Sequence, residues 1–475
     1  MKVLLINPSF DFKKFGRFQR FMEPMPCLGL AYIASILEKN DIDVEVIDDF
    51  VLRLGITGIL DVVKEKRYDI VGISCLTPSA PTVFSIAESI KKYNRSTLVV
   101  LGNIHASVFS EDILRNKYVD VVVHGEGEYS MLELVKAVGE NRDLVNIKGI
   151  SFKSNGQIIN TNPREPLEDL DRLPYPAWHL FPAEKYGFLS FVDIKKPGLS
   201  ISGSRGCPYR CLFCSIPDKN RKFRIRESSK IVDEIEHLIT HFYVKQIGFI
   251  DPIFPASKRQ ALEFCNEMIS RGLNNKISWL CESRVDTVDR EILKAMKEAG
   301  CKKIIYGIES GVQELLNNVK KNFSLDEIRS TVRHTKEIGI YTTGLFMIGL
   351  PGETKEMTQR TIDFAKEIDV DFAKFAITVP LPGSQLYESL TKSGKLKRCD
   401  WENFITFNSS PKDSVFVPGG VEPGLLIKMQ KKAHFQFYIR PKIIFRHLFI
   451  IRTIRIRDLF FGLIALLFPY TTHSK

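Results

Sequence analysis

Short runs of Val, Ile and Leu recur through the first 140 residues, with polar and helix-patterned stretches between them. Val3–Asn7, Val44–Ile47, Ile70–Ser74, Leu98–Leu101 and Val121–Val123 predict strands. None alternates apolar with polar, so both faces of the sheet are expected to be covered, as in a parallel sheet. Leu28–Glu38 places Leu30, Ile33, Ala34 and Leu37 on one side of a helix, and Thr82–Lys92 and Tyr129–Val138 predict two more. The pattern is that of a doubly wound, Rossmann-like α/β domain, which binds ligands at the carboxyl ends of its strands.

Residues 141–195 break the rhythm and read as a connector. Asn155-Gly156 predicts a hairpin turn, and Pro174 and Pro176 punctuate an extended stretch. Alternation resumes over 196–385. Strands are expected at Leu199–Ser204, Gln246–Asp251, Ile277–Arg284, Lys303–Glu309, Thr342–Ile348 and Ala373–Val379. Ser324-x-x-Glu327 has the form of a capping box, and Gly300 and Gly339 stop helices. Six strand–helix units make a partial TIM-type barrel, with its working face at the carboxyl ends of the strands. Residues 386–475 are expected to form a helical, basic and apolar extension.

Composition adds little to this until charge and cysteine are considered. The 475 residues allow two domains and a small third, and 44% hydrophobic content is ordinary. Asn7-Pro8 ends the first apolar run too early for a signal peptide, and nine cysteines with no such signal fit a reducing cytosol. The net charge of +11 is concentrated late: eight basic residues and no acid lie between Lys431 and Arg457. Leu459–Tyr470 is then almost wholly apolar, but its twelve residues are too few to span a bilayer. The tail reads either as a helix docked on the barrel or as an amphipathic segment on anionic lipid.

The sharpest chemical signal is Cys207-x-x-x-Cys211-x-x-Cys214. Three thiolates in one short loop can meet one soft-metal centre. A 4Fe–4S cluster usually takes four cysteines, so three imply an iron left open to a ligand. Zinc would want a second pair of ligands nearby, and a disulfide framework fits poorly with an odd cysteine count. Glu282, Arg284 and Glu309 fall at the ends of barrel strands, where an ion-pair network or a ligand site would both be served. Arg284 suits a carboxylate and Glu309 suits ribose hydroxyls. In the first domain Asn7, Ser74, Thr77, Gly102, Asn103, His105, Gly125, Glu126 and Gly127 sit at strand ends. Each alone also reads as an ordinary turn residue or loop histidine.

Taken together these motifs carry a resemblance. Cys207-x3-Cys211-x-Phe213-Cys214, Trp279-x-Cys281-x-x-Arg284, Gly307-Ile308-Glu309-Ser310-Gly311 and Gly349-Leu350-Pro351-Gly352-Glu353 resemble the radical S-adenosylmethionine enzymes. Pro26-x-Leu28-Gly29, Val71-Gly72-Ile73-Ser74, Leu101-Gly102-x-x-His105 and Gly125-Glu126-Gly127-Glu128 resemble the cobalamin-binding domain that precedes the barrel in many of them. Asn103 departs from that pattern, which usually has a second glycine there, and close ligand approach is less assured at that point. The motif that supplies a lower histidine ligand in other cobalamin proteins is absent, so no cobalt ligand is expected from it.

The resemblance implies a 4Fe–4S cluster held by Cys207, Cys211 and Cys214, S-adenosylmethionine on its open iron, cobalamin in the first domain, and Phe213 offering its backbone to the adenine. It implies transfer of a methyl group through cobalamin to an unactivated carbon, after a 5′-deoxyadenosyl radical removes hydrogen. No side chain deprotonates such a carbon near neutral pH, so cofactors must carry the step. Radical rearrangement, cyclisation or oxidation remains open, as does a non-catalytic cobalamin- or redox-responsive binding protein. The expected partners are a small-molecule or lipid substrate and an electron donor such as flavodoxin or ferredoxin, with no nucleic acid. The expected location is cytoplasmic, with contact to the inner face of the membrane through the tail.

Overall fold

A computed structural model describes residues 1–10, 24–188, 195–216, 222–396, 401–406, 415–419 and 421–451. The chain forms two compact units, the second beginning at Tyr186, with residues 401–404 returning to the first.

The first unit is built on strands β1 (Lys2–Asn7), β2 (Asp43–Asp48), β3 (Ile70–Ser74), β4 (Leu98–Gly102), β5 (Val121–Val123), β6 (Ile150–Ser154) and β7 (Gln157–Asn160). They lie in the order β2-β1-β3-β4-β5-β6-β7. The first five pair in parallel. The hairpin at Asn155-Gly156 forms as expected, and it extends the sheet antiparallel at its edge. The order reverses between β1 and β3, and a doubly wound sheet opens its ligand crevice at such a switch point. On one face Leu4 and Ile6 pack with Ile59, Val63, Val83 and Ile86 from helices Gly55–Lys66 and Ala80–Tyr93. Leu5 turns to the other face, where Gly72 leaves room for it and for Met131 of helix Gly127–Gly139.

The second unit contains β8 (Gly198–Ile201), the two-stranded ribbon β9 (Ser204–Arg205) and β10 (Arg224–Ile225), then β11 (Gln246–Phe249), β12 (Ser278–Ser283), β13 (Cys301–Glu309), β14 (Tyr341–Ile348) and β15 (Phe372–Ile377). Six of these form a parallel sheet ordered β15-β14-β13-β12-β11-β8, the expected partial barrel. The Ser324–Glu327 capping box closes as predicted. The floor of the barrel comes from outside it. Phe188 packs with Leu280, Ile305 and Leu345. A Cβ at Gly248 would fall 2.6 Å from the Phe188 ring and one at Gly198 would fall 3.0 Å from it, so both glycines make room for the ring.

Helix Pro423–Tyr438 closes the open edge at β15. An edge strand exposes unpaired backbone groups. Here Gln430 Nε2 donates to the Phe375 carbonyl at 2.8 Å, Phe375 N–H donates to His434 Nε2 at 3.4 Å, and the Tyr438 hydroxyl bonds both backbone groups of Ala373. Three side chains four residues apart thus occupy the edge that a seventh strand would pair with. Among the described residues no helix is long and apolar enough to cross a membrane. The apolar run at 459–470 lies outside them.

Candidate functional site

In the second unit the cysteine loop hangs between β9 and β10, whose pairing joins Arg205 to Arg224 and Ser204 to Ile225. Asp251, just past β11, anchors its near end by accepting from Gly203 N–H at 3.0 Å and from the Ser204 hydroxyl at 2.5 Å. Burial pushes this carboxyl up to about 6, so these donated bonds only partly offset desolvation. Gly206 takes φ +88°, where a Cβ would meet the Lys222 carbonyl at 3.0 Å. Leu212 N–H donates to Val319 and Leu386 N–H to Leu212, fixing the middle of the loop on two neighbouring segments. Leu212 and Phe213 pack on Leu315, Val319, Leu350, Leu386 and Phe416. The apolar residues thus hold the loop down. The N–H and C=O of Phe213 make no hydrogen bond with any described residue, and both remain available to a ligand.

All three cysteines of the loop are free and half-buried. Burial raises the Cys207 thiol and pushes the Cys214 thiol up to about 11, and the neighbouring sulfurs raise both further. Thiols in such a place become thiolates when a metal takes them. No three His, Cys, Asp or Glu side chains among the described residues close tightly enough for one metal ion. A cubane attaches each cysteine to a different iron and does not need such convergence. The donor set therefore fits a three-cysteine cluster better than a mononuclear site. Cys281 and Cys301 are buried, free core thiols, and Cys301 Sγ donates to the Lys303 carbonyl at 3.7 Å.

Arg284 stands at the end of β12 beneath this loop. Its guanidinium lies 3.6 Å from the centre of the Tyr209 ring, inside the cysteine motif, and forks onto Asp286 at 2.8 and 2.8 Å. It also donates to the Lys321 carbonyl at 2.7 Å. The fork expected for a ligand carboxylate is thus occupied by Asp286. Only Nη1, buried, lacks a partner. Glu309 ends β13 at φ +66°, where the ladder to β14 slips, and pairs with Lys321 at 2.9 Å.

Glu282 points into the barrel. Solvent reaches its side chain, yet protein surrounds it, and burial pushes its carboxyl up, with Lys374 opposing and Glu309 adding. Its carboxylate makes no hydrogen bond or ion pair with a described residue, while its carbonyl accepts from Phe254 N–H at 2.8 Å. Lys374 on β15 faces the same interior, its ammonium depressed by burial and partly restored by Glu282. β13 and β14 separate their strands. The two charges therefore interact across the barrel without touching. Sequence reasoning missed Lys374, Lys321, Tyr209 and Phe188. A lysine at an inward position of a strand is a readable signal, whereas nothing local marks Phe188.

In the first unit the strand-end residues bond mainly to one another. Asn7 Nδ2 donates to Asp48 at 2.9 Å. Asn103 Nδ2 donates to Ser74 at 3.0 Å, and its Oδ1 caps Ile104 N–H. Asn103 has φ +81° and ψ 179°, a conformation that glycine adopts most easily, and the bonds of its side chain to Ser74 and Ile104 N–H hold it there. His105 is buried, 3.3 Å from Thr77 Oγ1, with its ring against Phe109 and Trp401. Burial lowers it to about 4, so it is neutral at pH 7. Gly125 needs its φ of +65°, whereas Gly127 makes room for Ile33, 3.2 Å from where its Cβ would be. Gly102 has ordinary space, with the Val123 carbonyl at 3.9 Å. Glu126 accepts from Leu167 N–H at 3.0 Å and borders a cavity of about 380 Å³ shared with Tyr129, Arg164 and Arg172.

Comparison with known proteins bears on both units. The radical SAM superfamily model matches residues 201–365, and the B12 binding domain model matches residues 20–135. An uncharacterized methyltransferase of Pyrococcus horikoshii is 32% identical over 455 residues, covering 94% of this chain and 95% of its own. The anaerobic magnesium-protoporphyrin IX monomethyl ester cyclase of Rubrivivax gelatinosus is 28% identical, covering 92% of this chain and 78% of its own. Among solved structures, the radical S-adenosylmethionine methyltransferase TsrM of Kitasatospora setae, with cobalamin and a [4Fe-4S] cluster bound, superposes with a TM-score of 0.71. That match has 19% identity and covers 93% of this chain and 90% of that one.

Proposed function

Because the chain belongs to the cobalamin-binding radical S-adenosylmethionine enzymes, methyltransferase-like members included, we propose that it methylates an unactivated carbon of a small-molecule or lipid substrate. The cluster, S-adenosylmethionine and cobalamin supply the radical and the methyl group. The observation that carries the reading is the barrel mouth: a three-thiol loop, free backbone groups on Phe213, and an interior lined by Glu282 and Lys374 over a closed apolar floor.

In this reading Cys207, Cys211 and Cys214 hold the cluster, and Phe213 offers its main chain to the adenine. Arg284, through Nη1, and Glu309, shared with Lys321, face the rest of S-adenosylmethionine. Glu282 and Lys374 orient polar groups of the ligands inside the barrel, and Phe188 limits their depth. The strand ends from Asn7 through Ser74, Thr77, Gly102, Asn103 and His105 to Gly125, Glu126 and Gly127 form the cobalamin surface. An external one-electron donor such as flavodoxin or ferredoxin completes the system.

The test is anaerobic reconstitution with cluster and cobalamin, followed by product profiling of cell extracts with labelled S-adenosylmethionine. A product heavier by one CH2, with S-adenosylhomocysteine released, is the expected result. The similarity to a cyclase favours a second reading, cyclisation or oxidation, in which 5′-deoxyadenosine forms and no label reaches the product. Absence of 5′-deoxyadenosine under reducing conditions would leave a sensing protein.

A further inference from the structure

We propose that the outer side of the two C-terminal helical segments is a docking surface for an anionic lipid bilayer. The inner side of this region is fully engaged. Ile443, His447 and Ile451 are buried, and His447 Nε2 lies 2.9 Å from the Asp371 carbonyl. Arg446 bridges Asp369 at 2.8 Å and Asp371 at 3.1 Å, and Arg440 donates to the Lys366 carbonyl at 2.9 Å. Several cations that the sequence offers as lipid contacts are therefore spent on the fold. Burial alone would raise the Asp369 carboxyl, but the bonds from Arg446, Lys336 and Lys442 hold it well below the usual carboxylate range. These pins fix the orientation of the short helix Pro441–Phe445 and the turn that follows it.

The outer side is then held outward, with no described residue covering it. Phe445, Phe449 and Ile450 are 57%, 62% and 60% exposed, and the two phenylalanine rings pack at a tilt of 35° with centres 5.0 Å apart. Large apolar groups clustered in water mark an interaction site. Lys428 and Lys432 are exposed one turn apart on the preceding helix, whereas Lys442, beside Phe445, pairs with Asp369 at 2.9 Å. No acid occurs between Lys431 and Arg457. Exposed aromatic and aliphatic residues, with Lys428 and Lys432 exposed nearby along the chain and the adjoining Asp369 and Asp371 neutralised by Lys442 and Arg446, match the acyl boundary and headgroups of an anionic leaflet better than a protein partner of mixed charge. The contact is thereby placed on a rigid, described face and does not depend on the apolar run at Leu459–Tyr470. It stands independently of the catalytic reading.

The test is co-sedimentation of the full holoprotein with phosphatidylcholine vesicles, with and without phosphatidylglycerol, at low and high salt. The wild type is expected to partition onto the anionic vesicles, less strongly as salt rises. The combined Phe445→Ser, Phe449→Ser and Ile450→Ser variant is expected to lose about tenfold or more in partition, and Lys428→Gln with Lys432→Gln to lose most of the salt-sensitive part. Iron content, cobalamin content and circular dichroism verify that each variant is folded. Failure of the wild type to bind either vesicle overturns the proposal. So does undiminished binding by the apolar variant, including binding that disappears only when the chain ends after Ile451. A dimer that this variant dissolves, without any vesicle binding, would instead assign the face to a second copy.

Discussion

The two units bear their candidate residues at the same place, the carboxyl ends of parallel strands, but they satisfy them differently. In the first unit the polar groups are closed upon one another: Asn7 with Asp48, Ser74 with Asn103, Thr77 with His105. In the barrel they are not. Among the described residues the Glu282 carboxylate and the Phe213 main chain have no hydrogen-bond partner, and Arg284 keeps Nη1 unpaired in a buried place. A buried nitrogen without a partner, such as Arg284 Nη1, is costly, and a ligand that pairs with it recovers that cost. The contrast suggests two modes of recognition: the first unit offers a preformed surface read by shape and backbone, and the barrel offers unsatisfied groups that its ligands complete.

The largest test of that contrast is loss of the cluster ligands. Changing Cys207, Cys211 or Cys214 to Ala is expected to abolish the visible iron–sulfur absorption and all 5′-deoxyadenosine formation, while cobalamin binding to the other unit persists. Full iron content in the triple variant would overturn the assignment. Next comes Arg284→Met, which strands Asp286 and removes the stack on Tyr209. Asp286 reaches solvent, so its charge is not buried alone, and loss of the charged bonds should cost about 1.5–3 kcal/mol in denaturant unfolding of the apoprotein. If the unpaired Nη1 also meets S-adenosylmethionine, the variant's affinity for it falls beyond what Asp286→Asn causes. Equal affinities in the two variants would make Arg284 a structural brace only.

Acid probes both units at once. His105 and His434 are each held neutral by burial, at about 4. Folded values below the unfolded 6.5 mean that the native state binds fewer protons between these limits. Stability is therefore complete above pH 6.5 and falls as pH drops towards 4. Each depression corresponds to about 3 kcal/mol when fully expressed. For His434 the cause is concrete, because its Nε2 accepts the Phe375 N–H and a protonated ring cannot. His434→Gln is expected to flatten the acid limb of melting temperature against pH for the barrel while leaving the His105 contribution in place. An unchanged limb in both His434→Gln and His105→Gln would remove the explanation.

Much of this architecture was legible because it rests on local signals. The unalternated Val, Ile and Leu runs marked the parallel strands, and Ser324 with Glu327 marked a helix start that forms with both cap bonds. The cysteine spacing marked the loop. What escaped depended on residues distant in sequence. Phe188 forms the barrel floor only because Gly198 and, far along the chain, Gly248 lack side chains. Trp401 closes on His105 from almost 300 residues away. Gln430, His434 and Tyr438 read as one side of a helix, and only the neighbouring edge strand gives them a purpose. Arg284 was legible as a fork, but Asp286, two residues on, took that fork internally.

The smallest expected effect tests the closed surface of the first unit most directly. Asn103 holds a left-handed backbone, φ +81°, that glycine adopts without strain. Asn103→Gly relieves that strain but gives up the bond to Ser74 and the cap on Ile104 N–H, each worth about 1 kcal/mol. The terms oppose one another, and net stability should change by no more than about 1 kcal/mol. The effect on cobalamin depends on where the side chain goes. If it projected into the ligand space, its removal would tighten binding. Both of its polar ends are instead turned inward, to Ser74 and to the start of the following helix. Titration of the variant with hydroxocobalamin, followed by tryptophan fluorescence, is therefore expected to give a dissociation constant within about threefold of the wild type, under 1 kcal/mol. A tenfold gain would show that the side chain obstructs the ligand. A tenfold loss would show that the bond between Asn103 and Ser74 shapes the surface rather than merely completing it.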